Sequence, residues 1–233
     1  DGTGDINLAA EAANTLVINA NVTANAPGNI NLMGQNVTIN TATVEVTGAG
    51  TIATTNPRNG ELTGTGIITV MAPGVTTLNA NANIRTGGGV IQFTTDDIMI
   101  DNTALISSNP AAGGVVIIRN ASAGRLIELG GNNATVDLNI NNTELGRIEA
   151  NSLRIGRFDG IANAGNIAVT ATFDATLGFP LPIVQLFSAG NVTQVGGAGL
   201  IGTSICIEVG DFVTLLDPTN NAVTLAIEAA GNI

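Results

Sequence analysis

The stretch GNINLMGQNVTIN, residues 28–40, holds two short runs in which apolar and polar side chains alternate. The runs are INL at 30–32 and VTI at 37–39, with Gly34 between them. Strict alternation places every second side chain on the same side of an extended backbone, which is the pattern of a half-buried β-strand. The stretch therefore predicts strand, turn and strand, with the apolar side chains facing a core.

The same pattern recurs along the chain, at residues 6–8, 16–18, 44–46 and 67–70, and each run is followed by Gly, Asn, Ala or Pro. Apolar residues rarely recur at helical spacing, so the sequence predicts an all-β fold. The residues predicted to face inward are Ile6, Leu8, Ile30, Leu32, Val37, Ile39, Ile117 and Val169.

Glycines return at intervals of about two dozen residues: Gly4 to Gly28, Gly66 to Gly89 to Gly114, and Gly165 to Gly190. A period of this size suits one turn of a solenoid with three short strands, and such a turn cannot bury its apolar face alone. We therefore predict a right-handed parallel β-helix (β-solenoid) that forms a single segment over residues 1–233. Asparagines that cluster at strand ends, such as those at 19–31 and 79–83, are predicted to form ladders between turns.

An immunoglobulin-like sandwich is the main structural alternative, because it also has short strands at regular spacing. The chain has no Trp, no Tyr and a single cysteine, which argues against that fold.

The composition limits the partners of the chain. Its 233 residues are 44% hydrophobic and only 11% charged, with a net charge of -11. Nucleic acid would be repelled by this charge. Residues 175–207 carry no charge, but Gly, Pro, Asn and Gln interrupt them, so they do not resemble a membrane helix. We therefore expect neither nucleic-acid binding nor membrane insertion.

The side chains available for catalysis are few. The chain has no His and no Lys, so the common general bases and Ser-His or Cys-His dyads are missing, and we expect no enzymatic activity. Asp96, Asp97 and Asp101 resemble the acidic clusters of pectin-cleaving β-helices. With Arg85 or Arg119 they leave a calcium-dependent polyuronate lyase as a third functional hypothesis.

Calcium could also be structural, because aspartate oxygens on turns are its usual ligands. Asp96, Asp97 and Asp101, together with Asp1 and Asp5, are the candidates. No other metal or cofactor is expected.

Two further patterns predict local environments. Cys206 lies in the apolar run 205–207, which favours a buried, inert thiol over an intermolecular crosslink. Opposite charges interleave between residues 144 and 159, which favours salt bridges between adjacent turns over a recognition patch. The charged residues are Glu144, Arg147, Glu149, Arg154, Arg157 and Asp159.

Three stretches resemble the filamentous haemagglutinin family of giant bacterial adhesins and related surface proteins with β-strand repeats. The first is GNINLMGQNVTIN at 28–40, and the second is LGRIEANSLRIGRFDGIANAGNIAVTA at 145–171. The third, within 190–233, contains GNVTQ and FVTLLDPTNNAVTLAIEAAGNI. Together they cover less than half of the chain.

The resemblance implies a right-handed β-helix of the two-partner-secretion type, exported to the bacterial surface as part of an extracellular fibre. It implies a rigid shaft that contacts cells or matrix and packs end to end with neighbouring repeats or identical subunits. It implies no catalytic residues. The motif GNI at 231–233 falls where a strand would continue, so we expect one unit or window of a longer tandem array. A module that binds a polysaccharide or a host ligand is the alternative function.

Overall fold

The computed structural model describes residues 4–11, 13–25, 28–47, 66–131, 137–160 and 163–231. The protein is all-β over these ranges, as predicted. The strands are β1 Ile6–Ala9, β2 Thr15–Ile18, β3 Val22–Asn25, β4 Ile30–Met33, β5 Asn36–Ile39, β6 Thr43–Thr47, β7 Ile68–Leu78, β8 Asn83–Thr86, β9 Val90–Ile100, β10 Leu105–Ser108, β11 Val115–Arg119, β12 Ile127–Gly130, β13 Leu138–Asn141, β14 Ile148–Ala150, β15 Ser152–Gly156, β16 Ile167–Val169, β17 Phe173–Asp174, β18 Ile183–Ser188, β19 Val192–Gln194, β20 Leu200–Val209 and β21 Asn221–Ala229.

Over the same ranges, helical structure is limited to the α-helix α1, Asn142–Leu145, and a 3-10 turn at Pro110–Ala112. Within the described ranges, no helix is long and apolar enough to cross a membrane.

The strands form three sheets, and every pairing between named strands is parallel. Sheet 1 has twelve strands in the order β1-β4-β7-β9-β11-β15-β18-β20-β17, with β21 also beside β20 and with β2 and β5 extending the sheet beside β7. Sheet 2 has the order β14-β10-β8-β6-β3, and sheet 3 the order β13-β12-β16-β19. An immunoglobulin-like sandwich is built from antiparallel strands, so this alternative is wrong.

Successive passes of the chain stack in register through sheet 1. Ile6 lies opposite Ile30, and Ile30 lies opposite Ile68. The full column is Ile6, Ile30, Ile68, Ile91, Val116, Leu153, Val184, Ile205 and Leu225. Nine levels at about 4.8 Å each make a stack roughly 40 Å long.

A second column runs beside the first, two residues further along each strand. Its members are Leu8, Leu32, Val70, Phe93, Ile118, Ile155, Leu186, Ile207 and Ile227. Both columns are buried along their middle and form one side of a single hydrophobic core. Of the predicted inward residues, Ile30, Leu32, Val37, Ile39 and Val169 are confirmed as fully buried, and Ile6 and Leu8 pack against the core from the edge.

The column between these two faces outward, and two predictions fail there. Ile117 is half-buried on the outer side while Ile118 is buried, so the inward assignment of Ile117 is wrong. All four residues at 115–118 are apolar, and such a run contains no alternation from which the inward side could be read. Cys206 is also half-buried and outward, between buried Ile205 and Ile207.

The glycine spacing predicted from sequence corresponds to a close stack of backbones. A Cβ built on Gly28 would lie 2.6 Å from the carbonyl oxygen of Gly4. A Cβ on Gly66 would collide with the carbonyl oxygen of Gly28 and lie 2.7 Å from Val46 Cγ1. Neighbouring turns therefore approach too closely at this column for any side chain.

We expect Gly66→Ala to lower the free energy of unfolding by roughly 1–3 kcal/mol, the usual cost of overpacking. Urea denaturation followed by circular dichroism measures it. Gly196→Ala is the matched control, because its Cβ would meet nothing within 4 Å. Equal midpoints for the two variants would show that the glycine column is not tightly stacked.

Asparagine ladders join the turns, as predicted. Asn40 Nδ2 donates to Asn19 Oδ1 at 2.5 Å, and Asn79 Nδ2 donates to Asn40 Oδ1 at 2.7 Å. On the outer side of sheet 1, Asn31 Nδ2 donates to Asn7 Oδ1 at 2.8 Å. Each ladder satisfies side-chain polar groups between stacked strands, as in other parallel stacks.

Candidate functional site

The aspartates predicted as calcium ligands accept hydrogen bonds from different turns of the chain. Asp96 accepts from the backbone N–H groups of Ala121 and Ser122, at 3.0 and 2.7 Å. Asp101 accepts from the backbone N–H and the hydroxyl of Thr103, and these bonds lower its pKa.

The third aspartate, Asp97, is partly buried, which raises its pKa. Its carboxylate accepts from the N–H of Ile98 at 2.9 Å and from that of Asn139 at 3.4 Å. Asp5, further away, accepts from Asn29, and Asp1 lies outside the described residues. Over the part of the chain that the structure describes, no three His, Cys, Asp or Glu side chains are grouped to hold a metal ion. Asp96, Asp97 and Asp101 are therefore not brought together in one acidic cluster.

Two buried glutamates accept hydrogen bonds from neighbouring parts of the fold. Glu128 accepts from Asn139 Nδ2 at 2.9 Å and from the Thr170 hydroxyl. Glu144 is the third residue of α1 and forms a capping box with Asn141. The sequence analysis expected Glu144 to form a salt bridge, although the spacing Asn-x-x-Glu is a known helix-start signal.

The surroundings of Glu144 favour its protonated form. Burial raises its pKa to about 7, even though the N–H groups of Asn141 and Ile100, at 3.1 and 3.3 Å, stabilise the carboxylate. The nearby Asp97 carboxylate raises this pKa further. The stability of the folded chain is therefore expected to depend on pH.

The predicted salt-bridge ladder at residues 144–159 is wrong. Among the described residues there is one ion pair, Arg157 with Asp159, and its partners are two positions apart on the same turn. Glu149 instead accepts from the Ser107 hydroxyl at 2.6 Å in the neighbouring strand. Hydroxyl groups and backbone N–H groups thus take the place of the expected cations.

Both ends of sheet 1 expose the core columns. Leu225 is 49% exposed, whereas Ile205, opposite it one turn earlier, is 1% exposed. At the other end Ile6 and Leu8 are only partly buried, while Ile30 and Leu32 are fully buried. β1 pairs only with β4, and β21 only with β20, among the described strands. Each outer edge therefore presents backbone groups on which a further parallel strand could pair.

The end formed by residues 212–229, here called the β21 end, is the more apolar. Leu216 and Val223 are 85% and 84% exposed. Phe212 and Leu225 add to the same end. Exposed apolar patches at an open sheet edge are typical of interaction surfaces, so the two ends of the stack are the candidate functional site.

Comparisons with protein-family models, with curated proteins and with solved structures find no match.

Proposed function

We propose that this chain is a right-handed parallel β-helix that forms a shaft segment of a secreted bacterial surface fibre and mediates contact with cells or matrix. The observation that carries the proposal is the exposure of in-register core columns at both ends of one parallel sheet. The protein is proposed to be non-catalytic, and its function lies in length, rigidity and a repeated surface.

The handedness rests on a general rule. Connections between parallel strands of the same sheet are right-handed in nearly all proteins, because of the twist of the strands. Every pairing between the named strands is parallel, which supports a right-handed coil.

End-to-end stacking follows from the free edges. An added parallel turn at the β21 end would cover Leu225 and Ile227 as those residues cover Ile205 and Ile207. Burial of apolar surface contributes about 25 cal/mol per Å², and the same turn would pair the open backbone groups of β21. The β1 edge lies in the same sheet and runs in the same direction, so the two ends are geometrically compatible.

Electron cryo-microscopy of the native surface material tests the shaft. We expect this segment within a continuous rod whose layers repeat at about 4.8 Å. Isolated particles with closed, capped ends would contradict the proposal. Carbohydrate-binding and polyuronate-lyase assays with calcium would then take precedence.

A charge at the β21 end should block stacking without unfolding the chain. We expect Leu225→Arg in the full-length protein to shorten or abolish the fibres, because the side chain is half-exposed in the isolated segment but would be buried in a continuous stack. Thr224→Arg is the control, since Thr224 lies opposite outward-facing Ser204. Fibres of equal length for both variants, measured by electron microscopy, would argue against stacking at this edge.

A further inference from the structure

A cavity of about 270 Å³ lies at the corner where the chain passes from sheet 1 to sheet 2. Three successive turns contribute to its wall, and a loop between β17 and β18 contributes Phe179. The polar lining residues are Asn81, Asn83, Thr103 and Arg147. None of them belongs to the exposed ends of the stack.

Hydrogen bonds hold the polar frame of the cavity. The Asn81 N–H donates to Thr103 Oγ1 at 3.0 Å, and Asn83 Nδ2 donates to the Asn81 carbonyl oxygen at 2.8 Å. Thr103 Oγ1 in turn donates to Asp101 Oδ1 at 2.6 Å. Asn81 itself adopts a left-handed backbone with φ of 62°, a conformation that asparagine tolerates better than most residues. The wall is therefore built before any ligand arrives.

Register brings Arg147 to this wall. Leu105 lies opposite Asn83, and Ile106 lies opposite Ile148. Arg147 immediately precedes Ile148, so it occupies the level next to Leu105.

The Arg147 side chain has a buried hydrogen-bond donor without an acceptor in the described part of the chain. Its Nε atom is buried and has no hydrogen-bond partner among the residues that the structure places, and its guanidinium makes no ion pair with any of them. A buried donor without an acceptor destabilises the folded chain, and a ligand that supplies the acceptor removes this cost. Hydrogen bonds from Thr103 lower the pKa of Asp101 and the positive charge of Arg147 helps to lower it, but that carboxylate is exposed and accepts its hydrogen bonds from Thr103. A positive charge with a free buried donor thus faces a preformed cavity.

We infer that this corner cavity binds a carboxylate-bearing sugar residue, such as the hexuronate unit of an acidic polysaccharide. A guanidinium pairs with a carboxylate through charge-assisted hydrogen bonds, which are about twice as strong as neutral ones. The side-chain amides of Asn81 and Asn83 can bond ring hydroxyls, and Phe179 offers an apolar surface to the sugar ring. The volume suits a single monosaccharide unit rather than a longer ligand. The inference rests on the cavity alone and does not depend on stacking at the ends.

Titration calorimetry of the segment with a galacturonate trisaccharide tests the inference. We expect saturable binding that is at least roughly tenfold weaker in Arg147→Gln and partly restored in Arg147→Lys. Arg154→Gln removes an equal charge from the exposed outer face and should bind as the unaltered chain does. Phe179→Ala should also weaken binding, and because Phe179 lies on a surface loop, this variant tests the cavity independently of Arg147. Circular dichroism verifies that each variant is folded.

Two further ligands show whether the carboxylate or the sugar ring is recognised. The neutral galactose trisaccharide should bind at least roughly tenfold more weakly than the galacturonate form, and acetate alone should not compete at equal concentration. Absence of trisaccharide binding, or unchanged binding by Arg147→Gln, would overturn the inference. Equal binding of the neutral sugar would overturn the carboxylate assignment, and equal binding of acetate would overturn the sugar assignment.

Discussion

Ile118→Asp should lower the free energy of unfolding by about 4 kcal/mol or more, whereas Ile117→Asp, one residue away, should change it by about 1 kcal/mol or less. Ile118 is fully buried between Phe93 and Ile155 in the inward column. A carboxylate there would have no partner and no water. Because turns of a solenoid depend on their neighbours, several turns should be lost together.

Ile117 provides the matched control, since it lies on the outer side between Gln92 and Arg154. An aspartate at this position would stand next to a cation, and it would remain in contact with solvent. Urea denaturation gives both free energies, and hydrogen exchange shows how many turns open. If Ile117→Asp proved the more damaging variant, the inward and outward sides of β11 would have to be exchanged.

The stability of the protein should fall as the pH rises from about 4.5 to about 7, and Glu144 should account for much of the slope. The buried carboxyl holds its proton up to a pKa of about 7 in the folded chain, against 4.5 for an ordinary glutamate. In this interval the unfolded chain releases a proton that the folded chain keeps. The stabilisation is therefore fully present below pH 4.5 and lost as the pH passes 7, and at 1.36 kcal/mol per pH unit it amounts to about 3 kcal/mol.

Glu144→Gln should flatten this slope, measured as the difference between urea midpoints at pH 5 and pH 8. Glutamine has one acceptor oxygen, so the variant lacks the second acceptor that the ionised carboxylate offers to the N–H groups of Ile100 and Asn141, and its absolute stability will differ from that of the unaltered chain. The slope, and not the absolute stability, is thus the readout. Glu11→Gln removes the same charge from an exposed position and controls for net charge. An unchanged slope in Glu144→Gln would mean that this carboxyl ionises normally in the folded protein.

Much of the fold could be predicted from short-range patterns. Alternation within four-residue runs located the strands at 6–8, 30–32 and 37–39, because a half-buried strand repeats every two residues. The glycine interval anticipated the stacking of Gly28 on Gly4, and the structure places Gly66 next to Gly28 in the same column. Asparagine clusters at strand ends anticipated the ladder of Asn19, Asn40 and Asn79.

Environments that depend on a neighbouring turn were predicted poorly. Cys206 and Ile117 lie in uniformly apolar runs, in which either side of the strand satisfies the pattern. The charges between 144 and 159 suggested ion pairs. Glu144 is instead buried and caps the first turn of its own helix, and Glu149 accepts a hydrogen bond from a serine 42 residues away. Partners at such separations cannot be recognised without the register of the sheets.

The sequence by itself determined the strands, their turns and the need to stack, because these follow from the two-residue period and from glycine at close backbone contacts. Only the tertiary structure decided which side chains meet. Asn81, Thr103, Arg147 and Phe179 are scattered over nearly a hundred residues, and they line one cavity because loops of unequal length return each turn to the same corner. The free edges that β1 and β21 form among the described strands likewise exist only in the stack, since an edge is a strand that is paired on one side alone.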